Sequence, residues 1–221
     1  MRFDEYPYGR VAAIYDGLAR LYSLDRIGAS KRGQLPLIEP GDRVLFAGVG
    51  RGEEALTVAR RGARVTAVDL APPMLASLTR RLEREGLTAE LVLDDVAQHA
   101  AAEPYDVVVA HYFLNLFEEK RALAMLGHLA ALVRPGGRLL VADFARARGG
   151  PIARALTALY YAPANWIAWA FGFCALHPIL DYPPLLASHG LCVERTDHHP
   201  VLFGRNPAYV AIAARRRREG V

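Results

Sequence analysis

The chain has 221 residues, 52% of them hydrophobic and 23% charged, a balance typical of one globular α/β domain with a sizeable core. Its formal net charge of +4 equals the contribution of the four arginines at 215–218, so the rest of the chain has no basic excess to suggest nucleic acid. Cys174 and Cys192 form no CxxC pattern and no histidine stands at metal-ligand spacing, so we expect a reduced, cytoplasmic protein without a metal.

The first part of the chain, residues 1–40, predicts a helical cover. Apolar side chains recur at helical spacing through YGRVAAIYDGLARLYSL, residues 8–24, and a second short helix is expected at 29–37. The charged first residues are followed by no long apolar run, so we expect no secretory signal.

Residues 41–144 alternate apolar strands with amphipathic helices. The strands are expected in DRVLFAGVG, ARVTAVDL, AELVLDD, YDVVVAHYF and RLLVADF. Helices are expected in EEALTVARRG, which ends at Gly62, in PPMLASLTRRLEREG, which ends at Gly86, and in EEKRALAMLGHLAALV, which RPGG closes. Continuous apolar strands between helices indicate a parallel sheet that is covered on both faces.

The stretch 145–180 is predicted to be an apolar lid. It contains no Asp, Glu, Lys or Arg between Ala155 and Leu180, but Pro163 interrupts it and its unbroken apolar run is too short to favour a membrane span. We expect a helix that is half-buried against the domain or rests on a membrane surface, with a simple packed cover as the alternative. The aromatic residues of this lid are Tyr160, Tyr161, Trp166, Trp169, Phe171 and Phe173.

The last part of the chain completes the predicted fold. Residues 181–214 contain a short helix, YPPLLASHG, and two strands, LCVERTD and AYVAIAARR, whose short connection favours antiparallel pairing. Residues 215–221 are expected to be a solvated basic tail. The whole chain is therefore predicted to be one α/β domain with a Rossmann-like, doubly wound, seven-stranded sheet. This sheet is expected to be mostly parallel, with an antiparallel last strand and helices on both faces.

The first strand ends in a turn rich in glycine, which allows a tight bend and a close approach of the backbone to a ligand. Asp69 closes the second strand, where a carboxylate can accept hydrogen bonds from ribose hydroxyls. The spacing GxGxG differs from the dinucleotide fingerprint GxGxxG, and Glu53 and Glu54 would repel a pyrophosphate at the start of the following helix. A cofactor with an adenosine but no phosphate fits better, and S-adenosylmethionine is such a molecule. The glycines of the turn are Gly48, Gly50 and Gly52.

Together these segments resemble the class I S-adenosylmethionine-dependent methyltransferases. The landmarks VLFAGVGRG, VTAVDLAPPML, ELVLDDV, YDVVVAHYFLNL and LVRPGGRLLVADF stand in the order of that family. The segment VAAIYDGLARLYSL, followed by PGDRVL, is similar to the branch that methylates ubiquinone and menaquinone precursors and related small molecules.

The resemblance implies cofactor-binding roles along the carboxyl ends of the strands. The loop glycines would pass under the methionine part of the cofactor, and Asp69 would hold the ribose. Leu70 and Met74 would flank the adenine. Asp95, or alternatively Asp94, would meet the adenine amino group, and His111 would lie close to the sulfonium. The full set implied is Ala47, Gly48, Gly50, Gly52, Asp69, Leu70, Met74, Asp95, Val96 and His111.

Phe46 departs from the pattern of the resembling family. That family carries Asp or Glu at this position, where the acid helps to secure the amino end of the cofactor, and a phenylalanine accepts no hydrogen bond. A backbone carbonyl at Ala47 or Gly48, or the carboxylate of Asp16, would then meet the ammonium. Weaker affinity, an unusual use of the cofactor and a substitution tolerated inside a strand are the alternatives.

Methyl transfer requires the donor and the acceptor in line, and it requires a base only if the acceptor must lose a proton. The candidate catalytic residues are His111, Tyr112 and Asn115, and His111 is favoured as a base because an imidazole titrates near neutrality. A packed strand-end residue is the alternative for His111, and a helix cap is the alternative for Asn115. Weaker candidates are Asp143, Tyr8 and Tyr15.

The sequence therefore predicts an enzyme that transfers a methyl group from S-adenosylmethionine to oxygen, nitrogen or carbon of a small, hydrophobic or lipid-like acceptor. One alternative is a non-catalytic binding module with the methyltransferase fold, which Phe46 favours, and another is an enzyme that transfers a different group from the same cofactor. The expected partner is a small molecule, with no nucleic acid and no metal. The expected location is cytoplasmic, with contact at a membrane surface as an option, and the sequence sets no oligomeric state.

Overall fold

The computed structural model describes residues 23, 25–146, 150–151, 155, 158–162, 166, 179–200 and 207–218. Its helices are α1 (Arg26–Arg32), α2 (Glu53–Arg60), α3 (Pro72–Glu85), α4 (Glu119–Leu132) and α5 (Tyr182–Ser188). Its strands are β1 (Arg43–Ala47), β2 (Arg64–Asp69), β3 (Glu90–Leu93), β4 (Tyr105–His111), β5 (Val133–Phe144), β6 (Leu191–Pro200) and β7 (Pro207–Arg216). Short 3-10 turns occupy Leu35–Leu37, Val96–Gln98 and Leu114–Leu116.

The strands form one seven-stranded sheet in the order β3-β2-β1-β4-β5-β7-β6. β7 runs antiparallel to its neighbours β5 and β6, and the other neighbouring strands pair in parallel. The strand order reverses between β1 and β4, and open α/β sheets bind their ligands in the crevice at such a point. The predicted Rossmann-like, doubly wound sheet with an antiparallel last strand is confirmed.

Glycine and proline set the ends of the predicted helices. α3 begins with Pro72, whose fixed φ and missing N–H suit a first helical turn, and Gly86 follows its last residue at a left-handed φ of 62°. The helix expected at 29–37 is instead divided into α1 and the 3-10 turn Leu35–Leu37. Gly33 follows the last residue of α1, and Pro36 lies in the first positions of the new turn because it cannot donate a hydrogen bond within a continuing helix.

β5 starts earlier than the sequence predicted. The expected strand is RLLVADF, which begins at Arg138, whereas the structure already pairs Val133 with Tyr105 of β4. A register shift then brings Arg138 beside Val107, and Gly136, at a φ of 79°, supplies the backbone conformation that the irregularity needs. The segment RPGG, which was expected to close the preceding helix, is thus a bulged part of the sheet.

Two apolar cores cover the two faces of the sheet. One core packs α4 and α5 against alternate residues of the central strands, such as Leu45 and Val108. The other core packs α2 and α3 against the strand residues that alternate with those of the first core, such as Phe46 and Val109. This division follows from the two-residue period of a strand, which directs successive side chains to opposite faces. Phe46 is only 4% exposed, so it is part of the second core.

The prediction of a solvated basic tail at 215–221 is wrong for its first two residues. β7 extends to Arg216, and Arg215 pairs with Glu194 and donates to the carbonyl of Gly136 at 2.8 Å. The Arg216 guanidinium donates to three carbonyls at the carboxyl end of α4, over 2.6–3.2 Å. Because the last carbonyls of a helix lack partners within it, Arg216 caps α4 and ties it to β7.

The predicted lid, residues 145–180, is described in part. Leu159 and Trp166 are 71% and 61% exposed, whereas Tyr161 is buried and packs edge-on against Phe144 of β5, with ring centroids 5.1 Å apart. Among the helices that the structure describes, none has the length and apolar character to cross a bilayer. The candidates Tyr8, Tyr15, Asp16, Trp169, Phe171 and Phe173 lie outside the described residues.

Candidate functional site

The residues predicted as a site meet along the carboxyl edge of the sheet. Ala47, Asp69 and His111 are the last residues of β1, β2 and β4. Asp95 follows β3 after one intervening residue. Because parallel strands end at the same edge, these residues lie along one edge of the sheet, at the point where the strand order reverses and where open α/β sheets have their ligand crevice.

The loop after β1 has a left-handed backbone at each of its glycines, with φ of 70° at Gly48, 51° at Gly50 and 74° at Gly52. A Cβ at Gly48 would stand 2.6 Å from the ring of Phe113, and one at Gly52 would stand 2.9 Å from Leu78. A Cβ at Gly50 would meet no atom within 4 Å. The loop is therefore tightly packed at two glycines and open at the third, which is the shape that a ligand lying against the backbone requires.

Asp69 fastens this loop in its bent conformation. Its Oδ2 accepts the N–H groups of Val49 at 2.9 Å and Gly50 at 3.3 Å, and its Oδ1 accepts the N–H of Ala71 at 2.8 Å. Burial raises the pKa of Asp69, and the backbone hydrogen bonds oppose that shift. The carboxylate thus has a role in holding the loop that sequence reasoning did not assign.

The residues predicted to surround an adenine differ in accessibility. Leu70 is exposed, and Met74 packs at the margin of the core beneath α2 and α3. Val96 is buried in the 3-10 turn that follows β3. Asp95 caps this turn by accepting a backbone N–H at 3.0 Å, and its other oxygen pairs with Arg121 at 2.9 Å. The Asp95 side chain therefore positions the turn beside the crevice.

His111 is held at its Nε2, which lies 2.9 Å from the side-chain oxygen of Gln34. An amide oxygen only accepts, so this contact is a hydrogen bond in the tautomer with the proton on Nε2 and the lone pair on Nδ1. Nδ1 is buried and has no hydrogen-bond partner among the described residues. Burial lowers the pKa of His111 to about 3, although Glu54 opposes the shift. The ring is therefore neutral at physiological pH.

An ion pair lies beside this histidine. Nζ of Lys31, on α1, is 2.8 Å from Oε1 of Glu54, on α2, and the two side chains are 26% and 15% exposed. Burial alone raises the pKa of Glu54, but the attraction and the hydrogen bond of Lys31 outweigh it and hold the pKa below its ordinary value. Glu54 is the second residue of α2, and the loop glycine Gly52 immediately precedes this helix. The ion pair therefore borders the glycine loop.

Sequence reasoning missed Lys31 and Gln34, and it considered Glu54 only as a group that repels phosphate. Lys31 and Gln34 stand three residues apart, but the residues they contact, Glu54 and His111, lie in distant segments, so no local spacing connects each pair. One signal was available, because Lys31 is one of only two lysines in a chain that otherwise uses arginine.

Tyr112 follows β4 with a left-handed φ of 50°, which is uncommon for a residue other than glycine. Its hydroxyl lies 2.9 Å from Oγ of Ser30, and its ring packs edge-on against Phe144 and Tyr209. Burial raises the pKa of Tyr112 well above its usual value, with the Ser30 hydrogen bond opposing the shift. The hydroxyl is therefore protonated at neutral pH and acts only as a neutral donor or acceptor.

An aromatic cluster closes the crevice on the side of β5 and β7. The hydroxyls of Tyr160 and Tyr209 lie 3.1 Å apart, and Phe144 stands opposite Tyr209 in the sheet register. Because β7 is antiparallel, its first residues reach the same edge at which β5 ends. The members of the aromatic cluster are Tyr112, Phe144, Tyr160, Tyr161 and Tyr209.

Two further polar candidates are buried. Asp143, at the end of β5, accepts a hydrogen bond from the Tyr182 hydroxyl, and both residues are buried. Asn115 is buried in the 3-10 turn after β4. In the part of the chain that the structure describes, no group of three or more His, Cys, Asp or Glu is arranged to hold a metal ion.

The family described as "Methyltransferase domain" matches residues 44–137. The demethylmenaquinone methyltransferase of Thermus thermophilus is 36% identical over 146 residues, which are 62% of this chain and 64% of that protein. The demethylmenaquinone methyltransferase of Mycobacterium sp. strain KMS is 30% identical over 166 residues, 71% of this chain and 67% of that protein. The chain spans about half to two thirds of the length of the curated relatives it matches.

A solved structure shows the same fold. It is the 1,6-didemethyltoxoflavin-N1-methyltransferase of Burkholderia thailandensis with bound 1,6-didemethyltoxoflavin and S-adenosylhomocysteine. It matches with a TM-score of 0.65 and 21% identity, over 94% of this chain and 85% of that one. The chain thus belongs to the S-adenosylmethionine-dependent methyltransferases, and its similarity is to the branch of quinone-biosynthesis methyltransferases.

The residues at the carboxyl edge fit the cofactor of that family. The open side of Gly50 leaves room for a ligand against the loop. The carboxylates of Glu53 and Glu54 at the start of α2 would repel a pyrophosphate but not a sulfonium or an ammonium. The neutral ring of His111 adds no positive charge that would oppose a sulfonium.

Proposed function

We propose that the chain binds S-adenosylmethionine in the crevice beyond β1, β2 and β4 and transfers its methyl group to a small acceptor. The observation that carries this proposal is the glycine loop, whose left-handed backbone is held by Asp69 and is open at Gly50. Membership of the methyltransferase family supports the same cofactor.

We assign the parts of the cofactor by position along the edge. The loop glycines and Ala47 would lie under the methionine part, and Asp69 would accept from the ribose hydroxyls. Leu70 and Met74, which retain accessible surface, would flank the adenine. The turn capped by Asp95 would meet the adenine amino group with its backbone, since the Asp95 carboxylate already has partners.

When bound, the cofactor supplies an electrophilic methyl group on a positively charged sulfur, so the task of the protein is to orient the acceptor in line with it. A histidine with a pKa of about 3 is a weak base at neutral pH, so we assign His111 as a neutral lining residue in place of a general base. Tyr112 and Asn115, which follow β4, would orient the acceptor through a neutral hydroxyl and an amide.

We propose that the acceptor is a small apolar molecule bound against the aromatic cluster. The cluster offers aromatic ring surface and contains no charged side chain, which suits an apolar acceptor. The names of the relatives specify demethylmenaquinone, which is consistent with an acceptor of this kind. The exposed side chains of Leu159 and Trp166 on the lid support delivery of such an acceptor from a membrane surface.

Titration calorimetry with S-adenosylmethionine, S-adenosylhomocysteine and NAD+ tests the cofactor. We expect binding of the first two and none of NAD+. Asp69→Ala should weaken binding of S-adenosylhomocysteine about ten- to a hundred-fold, since it removes a charged acceptor and loosens the loop. Asp106→Ala removes a carboxylate from the opposite edge, where it accepts the N–H of Arg43 at 2.8 Å, and should leave the affinity unchanged. Failure of the folded wild type to bind either adenosyl ligand, or binding of NAD+, would contradict the proposal.

Incubation with methyl-labelled S-adenosylmethionine and fractionated cell extract tests the acceptor. We expect labelled product in the apolar fraction, with a mass increase of one methyl group and release of S-adenosylhomocysteine. Label confined to the aqueous fraction would contradict an apolar acceptor. Binding without any transfer would point to a non-catalytic module, and a different mass increase would point to transfer of another group.

A further inference from the structure

The amino-acid end of S-adenosylmethionine carries an ammonium and a carboxylate, and each needs a partner of opposite charge in a partly buried site. β1 supplies none, because it ends with the buried Phe46 and with Ala47. His111, which strand alternation places on the same face as Phe46, is neutral. Asp69 accepts from the amides of the loop and is assigned to the ribose hydroxyls, at the other end of the cofactor. Among the residues that the structure describes, the helices beside the glycine loop supply charged groups of both signs.

Lys31 and Glu54 stand where such partners are needed. Glu54 begins α2 directly beyond the glycine loop, and Lys31 reaches it from α1 at 2.8 Å. The segment after α1 brings Gln34 onto His111, so α1 is held at the carboxyl end of β4. Both members of the pair also act on the charge state of the His111 ring, which places them beside the site.

We infer that the Lys31–Glu54 ion pair binds the amino-acid end of the cofactor, Lys31 donating to its carboxylate and Glu54 accepting from its ammonium. This inference rests on the proposed cofactor. A lysine ammonium has three donors and a carboxylate has about four acceptor positions, so the pair can keep its mutual contact and still bind. The four charges then alternate in sign, and no ion is left buried without a partner.

Glu53 provides a matched control on the same helical turn. Its side chain is 65% exposed and lies 3.8 Å from Arg81, a distance at which water screens the pair. It has the same chemistry as Glu54 and a neighbouring position, but it does not contact Lys31 in the structure. Glu53→Gln therefore removes the same charge from the same turn without touching the pair.

The decisive measurement compares two ligands by calorimetry. S-adenosylhomocysteine carries the amino-acid end, and 5′-deoxy-5′-methylthioadenosine has the same adenosine but lacks it. Glu54→Gln should weaken binding of S-adenosylhomocysteine about ten- to a hundred-fold, the effect of removing one charged hydrogen bond. Its affinity for methylthioadenosine should stay at the wild-type value, and Glu53→Gln should change neither.

A double variant guards against a trivial loss of folding. Removing one partner of a buried ion pair leaves an unpaired charge, whereas Lys31→Met with Glu54→Gln removes both charges. Urea unfolding checks its stability, and we expect the same selective loss of S-adenosylhomocysteine binding. An equal loss for both ligands, or no loss for either, would overturn the inference while leaving the proposed cofactor intact. A wild type that binds neither ligand would overturn both.

Discussion

The two edges of the sheet are built from the same strands but in different ways. At the amino edge, Asp106 accepts the N–H of Arg43 at 2.8 Å and pairs with Arg134, and Arg43 pairs with Glu103 at 2.5 Å. These charges stand partly in water, and each has an opposite partner. Such contacts fix the ends of strands and need no ligand to complete them.

At the carboxyl edge, the local rules are broken repeatedly. The loop after β1 has a left-handed backbone at three glycines in alternate positions, and Tyr112 adopts the same conformation despite its side chain. Nδ1 of His111 is buried without a partner among the described residues, and the Lys31–Glu54 pair is largely withdrawn from water. Strained backbone and incompletely satisfied polar groups persist where function requires them. This contrast supports our proposal that the carboxyl edge is the functional one.

The largest expected difference between the edges comes from two glycines that flank β1. Gly41 at the amino edge and Gly48 at the carboxyl edge have φ of 88° and 70°, but only Gly48 has a neighbour, the Phe113 ring, 2.6 Å from the position of a Cβ. Gly41→Ala should cost about 1 kcal/mol of unfolding free energy for the left-handed backbone. Gly48→Ala should cost about 3 kcal/mol, because overpacking adds to the same strain.

Urea unfolding at a fixed temperature measures both variants against the wild type. Phe113 is buried and packs edge-on against Phe117, with ring centroids 5.1 Å apart, so it cannot turn aside freely. Equal midpoints for the two alanine variants would show that the loop tolerates a side chain at Gly48, and the description of a tightly packed loop would then be wrong.

The second difference concerns pH. The pKa of His111 is lowered from 6.5 to about 3 in the folded protein, so the folded state binds fewer protons than the unfolded state between these values. Stability is therefore full above the unfolded pKa and falls as the pH drops toward the folded pKa. From pH 7 to pH 5 the loss due to this one group is about 2 kcal/mol. In His111→Gln this part of the pH dependence should vanish.

Comparing urea midpoints at pH 7 and pH 5 isolates the effect, since any constant destabilisation by the substitution cancels. If His111→Gln lost as much stability on acidification as the wild type, His111 would titrate normally, and its assignment as a neutral lining residue would have to be abandoned.

Most of the fold could be predicted from the sequence because its signals are local. Continuous apolar runs marked the central strands, and Pro72 and Gly86 marked the ends of α3 at the positions observed. The glycine loop and Asp69 could also be predicted from the sequence, since both stand at the ends of adjacent strands whose parallel pairing is regular. A parallel sheet then brings them together without further information.

The missed features depend on contacts between distant segments. The pair of Lys31 with Glu54, and that of His111 with Gln34, require the position of α1 on the sheet, which no periodicity encodes. Arg216 was expected in solvent, but it caps α4 because β7 lies beside the end of that helix. A run of arginines has the same sequence pattern whether its side chains are solvated or hydrogen-bonded to the protein. Only the tertiary structure distinguishes the two.

The smallest difference is also the most specific to a ligand. Gly50 and Gly41 are both left-handed, with φ of 51° and 88°, and a Cβ at either would meet no protein atom within 4 Å. Alanine at each should therefore cost a similar free energy of unfolding, about 1 kcal/mol. Only Gly50 borders the proposed crevice, so Gly50→Ala should weaken binding of S-adenosylhomocysteine about ten-fold in calorimetry, while Gly41→Ala should not. Because the folded protein tolerates both side chains equally, a loss of affinity confined to Gly50→Ala reports the volume that the ligand occupies. Equal affinities would place the ligand away from the loop.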